Sequence, residues 1–323
     1  MAQHFLLSKQ ARTLSLAKVI RMSDAEAYEA FKAIRWAENN GEAVCPRCGS
    51  VEVYTYAARK IFKCKGCEAQ FSVTTATIFA SRKMSIRNLL AAIAIFVNGA
   101  KGMSALQLSR DLDCQYKTAF VLAHKLREAM GAELKDRKLS GHVEVDGAYF
   151  GGYVKPENRK EDRKDRRLKE NQTGKRRVVV IVRERGGKSY PEVFRSEDQS
   201  VEMIRSRVEA GTTVYADEAS SWDALHGSYD TKRVNHSINF KDEDACTNQA
   251  ESYFSRLRRA EIGTHHLISG RYLVAYAREM AWREDNRRVS NGEQFLMAAG
   301  AALGHPVSRQ WKGYWQRRAA FTI

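Results

Sequence analysis

The sequence lacks any apolar stretch long enough to cross a membrane. Its longest apolar runs, residues 89–97 and 295–303, fall far short of the roughly 20 residues that a spanning helix needs. The opening MAQHFLLSKQ also lacks the basic start, apolar stretch and small-residue cleavage site of a secretory signal. We therefore exclude a membrane-spanning protein and expect a cytosolic one.

Acidic residues are in deficit as well. Lys and Arg number 54 against 38 Asp and Glu, so the formal net charge is +16 and the isoelectric point is near 9.6. A balance this basic favours a polyanionic partner, with nucleic acid the first candidate and an anionic membrane surface the rival. At 323 residues the chain is long enough for two or three domains, each with its own core.

Cysteines are few, and four of the six form two Cys-x-x-Cys pairs, CPRC and CKGC, separated by fifteen residues. These four are Cys45, Cys48, Cys64 and Cys67. Four thiolates at this spacing suit tetrahedral Zn²⁺, and a reducing cytosol disfavours disulfides. We predict a zinc ribbon over residues 42–80 that holds one structural Zn²⁺ and has too few apolar residues to fold without it. Cys114 and Cys246 are interpreted as ordinary reduced thiols.

Helical patterns flank the predicted ribbon. Residues 1–41 form an N-terminal segment whose helix begins with a Ser cap at Ser23. Residues 81–135 contain three helical stretches, and a short helix, a tight turn and a basic second helix favour a helix-turn-helix, whose last helix enters the DNA major groove. The residues of that helix predicted to contact DNA are Lys117, Thr118, Lys125 and Arg127. The alternative is a three-helix bundle with a solvated basic face.

Residues 136–290 read as an α/β domain. The stretch HVEVDGAYFGG predicts a strand that delivers Asp146 to a sheet end, TVYAD predicts a second strand ending on Asp217, and NQAESYFSRLRR predicts a helix carrying Glu251. A strand over 177–183, its hairpin partner and a helix lie between the first two acids. Strand, strand, strand, helix, strand, helix is the element order of an RNase H-like mixed-sheet fold.

Three acids on two strand ends and one helix would converge. Hard cations such as Mg²⁺ or Mn²⁺ take oxygen ligands, so three carboxylates can hold a pair of them for phosphoryl transfer. The alternative for any one of these acids alone is an ordinary surface carboxylate.

Two stretches are strongly basic. Residues 155–177 contain 11 basic and five acidic residues among 23 and almost no apolar side chains, so they cannot bury a core, and we expect a mobile loop. Residues 291–323 are predicted to form a basic aromatic C-terminal tail.

From about residue 43 to 288 the chain resembles bacterial insertion-sequence transposases of the ISXO-like group, which carry an N-terminal zinc ribbon and a DDE-type, RNase H-like catalytic domain. The resemblance is carried by VDGAYFGG, YADEASSWDAL, VNHSINF, TNQAESYFSRLRR, GTHHLISGRYL and YAREMAWREDNRR. It implies metal-dependent cleavage at insertion-sequence ends and strand transfer into target DNA, with Asp146, Asp217 and Glu251 matching the acidic triad. It also implies double-stranded DNA partners, namely terminal inverted repeats and target DNA, and a homo-oligomer in the synaptic complex.

The chain departs from that family at two points. Members often have an acid after the first Asp, where this chain has Gly147. The third acid varies in the wider family, so Asn248 is the other candidate ligand. Helical spacing puts Asn248, Glu251 and Arg258 on one face, where Glu251 is the stronger ligand because it is ionised, and Arg258 could hold a phosphate by a bidentate contact. His236 is a further candidate to line the site, with a structural role as its alternative.

Two rival functions remain open at this point. A transposase-derived DNA-binding regulator would keep the ribbon and the helix-turn-helix without catalysis, and the intact triad argues against it. A structure-selective nuclease on the same RNase H-like fold would have no need for two modules that read DNA sequence.

Overall fold

The computed structural model describes residues 5–152, 157–165, 168–171, 173–234 and 246–317. Its helices are α1 (Leu16–Arg21), α2 (Asp24–Arg35), α3 (Ile86–Asn98), α4 (Ala105–Asp111), α5 (Tyr116–Ala132), α6 (Val201–Arg207), α7 (Asn248–Ala260), α8 (Leu273–Asp285) and α9 (Asn291–Gly304). Its strands are β1 (Val53–Tyr56), β2 (Ile61–Cys64), β3 (Gln70–Ser72), β4 (His142–Phe150), β5 (Arg177–Glu184), β6 (Ser189–Phe194), β7 (Thr213–Asp217) and β8 (Asp230–Val234). Within these residues no helix combines the length and apolarity that a membrane span requires.

The chain divides into two compact units. The first unit consists of two segments of the chain, one that ends at Glu133 and one that begins at Asn286. The second unit comprises Leu134–Asp285. Each has its own buried core, as the length of the chain suggested.

The first unit contains a small antiparallel sheet in the order β1, β2, β3. Its apolar side is little more than an aromatic cluster, in which the Phe62 and Phe71 rings stack at 5.4 Å and the Trp36 ring meets Phe62 edge-on at 5.5 Å. Arg35, at the end of α2, donates to the backbone carbonyls of Val73 and Thr75 and so ties this helix to the sheet. So small a core fits a ribbon that depends on a metal for stability.

Helix α3 is the centre of the helical part of the first unit. Its sequence IRNLLAAIAIFVN is apolar nearly all round, and the helix is buried from Leu89 to Val97 because α1, α2 and α9 pack on it. Helix α9 begins at a capping box between Ser290 and Glu293. The Asn291 side chain also accepts hydrogen bonds from two backbone amides near the start of the chain.

Helix α9 corrects the prediction of a tail that begins at residue 291. Its apolar stretch QFLMAAGAALG supplies buried side chains, including Phe295 and Leu303, to the core of the first unit. An apolar face of this length is stabilised by packing against other helices rather than by contact with solvent. Only the part that follows Gly304 lacks a helix or strand among its described residues.

The second unit is a five-stranded mixed sheet in the order β6, β5, β4, β7, β8. Strands β4, β5 and β6 pair antiparallel, and β7 pairs parallel to β4 and to β8. The predicted α/β fold class, an RNase H-like mixed sheet with a zinc ribbon before it in sequence, is confirmed. Strand β8 was not predicted.

Two apolar layers cover the sheet. On one face Val143 and Val145 pack with Ile204 of α6 and with Trp222. On the other, Ala148 packs with residues of α7 and α8. Strand β5 lies between both layers, which explains why its sequence VVVIV is apolar without alternation. Because side chains alternate along a strand, Asp146 shares the face of Ala148 and therefore points toward α7.

Candidate active site and zinc centre

Asp146 and Glu251 line one cavity between β4 and α7. The cavity has a volume of about 530 Å³. Its lining residues are Asp146, Gly147, Ala148, Glu251, Phe254, Ser255, Arg258 and Arg259. Two carboxylates and two guanidinium groups therefore face the same space, a combination that can hold cations and phosphate oxygens together.

Asp217 reaches the site from the neighbouring strand. Val145 of β4 pairs with Ala216 of β7 in parallel register, so the residues that follow them, Asp146 and Asp217, lie side by side at this end of the sheet. One carboxylate oxygen of Asp217 accepts hydrogen bonds from the Trp222 indole N–H at 2.6 Å and from the Ala219 amide at 3.2 Å. These two donors fix the orientation of the Asp217 side chain.

Asp146 is in an electrostatically unfavourable position. Burial, together with the charges of Asp217, Glu251 and Glu197, raises the pKa of its carboxyl to about 7, although a hydrogen bond from the Gly147 amide acts in the opposite direction. Like charges held together in this way favour binding of a cation. The acids are nevertheless spaced more widely than the ribbon cysteines. Within the described ranges, the potential metal ligands whose donor atoms all lie within 4.8 Å of one another are those four cysteines.

The remaining predicted site residues separate into two groups. Arg258 lines the cavity two helical turns from Glu251, as the spacing required. Asn248, the first residue of α7, is not among the lining residues, whereas Glu251 is, which favours Glu251 as the third ligand. His236 lies outside the described residues.

Glu197 is a fourth acid that the sequence reasoning missed. It begins a short 3-10 helix (Glu197–Ser200) directly after β6, and its side chain is half-buried. Burial and the charge of Asp217 raise the pKa of Glu197, which places its carboxylate near the site. A usable signal was present in the sequence, since the acids of SEDQS follow a predicted strand and precede a predicted helix.

The four predicted zinc ligands form one cluster. The Cys45 and Cys67 sulfurs are 3.6 Å apart, and so are those of Cys48 and Cys64. A tetrahedron with Zn–S distances of about 2.3 Å has edges of roughly 3.8 Å, so the sulfurs already stand near the separation that zinc requires. A hydrogen bond from the Cys67 amide lowers the pKa of Cys64 to about 6, which favours the thiolate that binds metal.

The predicted DNA-contacting helix, α5, exposes some of its basic residues and buries others. Lys117 and Thr118 are exposed at its first turn, and Lys125 is half-buried. Arg127 is only 2% exposed and packs its guanidinium on the Phe96 ring at 5.4 Å. The prediction that Arg127 contacts DNA was therefore wrong, because its position in the helix faces the core of the first unit.

Aromatic residues of the C-terminal segment cover another side of α5. The Trp311 ring stacks on His124 at 4.3 Å and is buried. Trp315 is 45% exposed, donates from its indole N–H to the Lys117 carbonyl, and lies 5.4 Å from the Lys117 ammonium. The predicted basic aromatic tail thus packs against the first turn of α5; its residues from 318 onward lie outside the described ranges.

Comparison with known families agrees with the fold and the cysteine cluster. Residues 138–285 match the ISXO2-like transposase domain, and residues 22–70 match the transposase zinc-ribbon domain. The chain therefore carries a transposase zinc-ribbon domain followed by an ISXO2-like transposase domain, which confirms the resemblance seen in the sequence.

One curated relative aligns with nearly the whole chain. The chain is 25% identical over 295 residues to a Halobacterium salinarum protein described as an uncharacterized protein in transposable element ISH50; the alignment covers 87% of this chain and 98% of the relative. Among solved structures, the Mos1 strand transfer complex gives a TM-score of 0.25 and 13% identity, and covers 66% of this chain and 78% of that one.

Proposed function

We propose that this transposase cleaves DNA at the ends of its insertion sequence and joins the freed ends to target DNA by a DDE-type mechanism. The proposal is carried by one observation: Asp146 and Asp217 stand side by side on parallel strands, and Glu251 of α7 shares a cavity with Asp146. In this proposal the three acids hold two Mg²⁺ or Mn²⁺ ions. Those ions would activate the attacking oxygen and neutralise charge on the scissile phosphate.

The residues around the acids have positioning roles in this proposal. Trp222 and Ala219 hold one oxygen of Asp217, so that the orientation of its carboxylate is set before DNA arrives. Arg258 on the cavity wall binds a phosphate oxygen of the scissile strand, since its guanidinium is always charged and donates in a planar fork. The Asp146 carboxyl, whose pKa is raised to about 7, would lose its proton more readily beside a bound cation.

Cleavage and joining use the same groups. Both are phosphoryl transfers with a shared in-line geometry, first with water and then with the freed 3′-OH as nucleophile. No covalent protein intermediate is needed, so the tyrosines and serines near the cavity need no nucleophilic role.

DNA recognition is assigned to the first unit. We propose that Cys45, Cys48, Cys64 and Cys67 hold one structural Zn²⁺, and that α4 and α5 form a helix-turn-helix with Lys117 and Thr118 at the DNA surface. The exposed first turn of α5 supports this, as does Asp113 in the intervening turn, which adopts a left-handed conformation with φ of 46°. The transposase would act in the cytoplasm as a homo-oligomer bound to terminal inverted repeats and target DNA.

The direct test is incubation of the purified chain with Mg²⁺ and DNA that carries its own element ends. Nicks with 3′-OH termini at the element ends, followed by joined products, are expected. Binding without any product would instead identify a regulator, and cleavage that ignores the element ends would identify a structure-selective nuclease.

A further inference from the structure

Gly147 creates the space in which Glu197 approaches the proposed active site. A Cβ atom added at Gly147 would lie 2.7 Å from Glu197 Oε1, 3.0 Å from its Cγ and 3.1 Å from its Cδ. Distances under 3.0 Å essentially never occur for real Cβ atoms. Any side chain at position 147 would therefore displace the Glu197 carboxylate. Gly147 follows Asp146 directly on β4, so a side chain there would point to the opposite face from the Asp146 carboxylate. The charge of Glu197 nevertheless acts on Asp146 from that side.

The segment that holds Asp217 also holds Glu197. Ser221 donates from its hydroxyl to Glu197 Oε2 at 3.3 Å, and the next residue, Trp222, donates to Asp217 Oδ1. The 3-10 helix of these two donors (Ser220–Leu225) follows β7 directly. One turn thus donates hydrogen bonds to carboxylates from two different parts of the chain, and the charge of Asp217 acts on Glu197.

We propose that Glu197 is a fourth carboxylate of the divalent-cation site and that residue 147 is glycine in order to admit it. This inference rests on the proposed function. Two divalent cations carry a charge of +4, whereas Asp146, Asp217 and Glu251 supply −3. A fourth carboxylate balances the charge and adds oxygen donors to cations that require about six ligands each. The competing explanation is that Glu197 serves only to neutralise Arg176, whose charge also acts on it.

The first test measures Mn²⁺ binding by the full chain without DNA, by isothermal titration and by electron paramagnetic resonance. Glu197→Gln should weaken Mn²⁺ binding by about tenfold or more, the loss typical when a group that supports a metal site is removed. Glu202→Gln is the matched control, because Glu202 is an exposed glutamate on α6 in the same part of the chain. Unchanged Mn²⁺ affinity in Glu197→Gln would overturn the inference and leave the neutralisation of Arg176 as the role of Glu197.

A second variant leaves Glu197 in place and fills the space that its carboxylate occupies beside Gly147. Gly147→Ala should weaken Mn²⁺ binding severalfold, because the new methyl group pushes the flexible carboxylate away. In a Glu197→Ala background the same change has nothing to displace and should add little, so that the two effects are strongly non-additive. Additive losses would contradict the inference. The single variant Gly147→Ala remains informative even where substitutions of Glu197 fold poorly, since it retains every charged group: unchanged Mn²⁺ affinity in Gly147→Ala would also contradict the inference.

Asp146→Asn separates this inference from the proposed function. If Asp146→Asn abolishes both Mn²⁺ binding and cleavage while Glu197→Gln alters neither, only the role of Glu197 is lost. If Asp146→Asn also leaves both intact, the proposed active site itself is wrong.

Discussion

Glu144, two residues before Asp146 on β4, accepts a hydrogen bond at 3.0 Å from the backbone amide of Ala250, the residue before Glu251 on α7. The Gln249 amide donates to the same oxygen at 2.8 Å. A carboxylate that receives the free amides at a helix N-terminus also interacts favourably with the helix dipole. Glu144 therefore holds α7 against β4, and with it the spacing between the first and third acids of the site.

Glu144→Ala should destabilise the second unit by about 1–3 kcal/mol, because buried amide donors lose their acceptor. The other Glu144 oxygen accepts from Arg185 Nε at 3.1 Å, so the substitution also removes a partner of that cation. Cleavage should fall along with stability. Urea unfolding measures the effect, and Glu144→Gln, which keeps an acceptor oxygen for the amides, should lose less. An unfolding curve of Glu144→Ala that overlays the wild type would contradict this role.

Removal of a zinc ligand should act on the ribbon alone. Cys64→Ser is expected to lower the zinc content from about one ion per chain to near zero and to unfold the ribbon, because its aromatic cluster is too small to fold without metal. The second unit should keep its own unfolding transition. Cys114→Ser is the control, since Cys114 lies outside the cluster. Full zinc content in Cys64→Ser would exclude the proposed site.

The stability of the protein should depend on pH through Asp146. Its pKa is about 7 in the folded chain and about 4 in an unfolded one, so between these values the folded state binds more protons. This contribution to stability is complete below about pH 4 and is lost as the pH rises through 7. In buffer without Mg²⁺ or Mn²⁺, Asp146→Asn should therefore melt several degrees above the wild type at pH 8 but not at pH 4.

Added Mg²⁺ should reverse that order at pH 8. It binds the ionised carboxylates of the wild-type folded state and raises its melting temperature, with a smaller effect on Asp146→Asn. Calorimetry at both pH values, with and without Mg²⁺, measures all four conditions. If the two proteins melt at the same temperature at pH 8 without cation, the pKa of Asp146 is not raised in the folded state.

Two basic residues of α5 should behave differently although the sequence suggested the same role for both. Lys117→Ala should leave the melting temperature unchanged and reduce the slope of log affinity against log salt by about 1, because one phosphate contact is lost. Arg127→Ala should cost roughly 1–3 kcal/mol of stability, because a buried side chain packed on Phe96 is removed. A change of salt slope in a fully stable Arg127→Ala would show that Arg127 does reach DNA.

Local pattern predicted much of the fold. The run RVVVIVR was enough to predict β5 and a hairpin partner after it, and three helical stretches were predicted over the residues that contain α3, α4 and α5. Strand β8 was not predicted, because its sequence, DTKRV, is mostly polar. It lies at the edge of the sheet, where a strand needs few apolar residues.

The parts of the site that the sequence could not supply depend on tertiary structure. The acids after β6 are visible in the sequence, but the approach of Glu197 to Gly147 on β4 is not. The burial of Arg127 likewise depends on which face of α5 meets α9 and Phe96, and a lone basic residue in a helical pattern is ordinarily solvated. The three predicted acids were found because each lies in an element with a strong pattern of its own.

The central claim is that Asp146, Asp217 and Glu251 carry out the cleavage and joining. It is tested most directly by assaying alanine variants of each on DNA with the element ends, while end binding is measured by gel shift. We predict that each variant loses both cleavage and joining and keeps near-normal end binding, whereas Asn248→Ala loses little of either. Cleavage by Glu251→Ala beside an inactive Asn248→Ala would contradict the account and make Asn248 the third ligand.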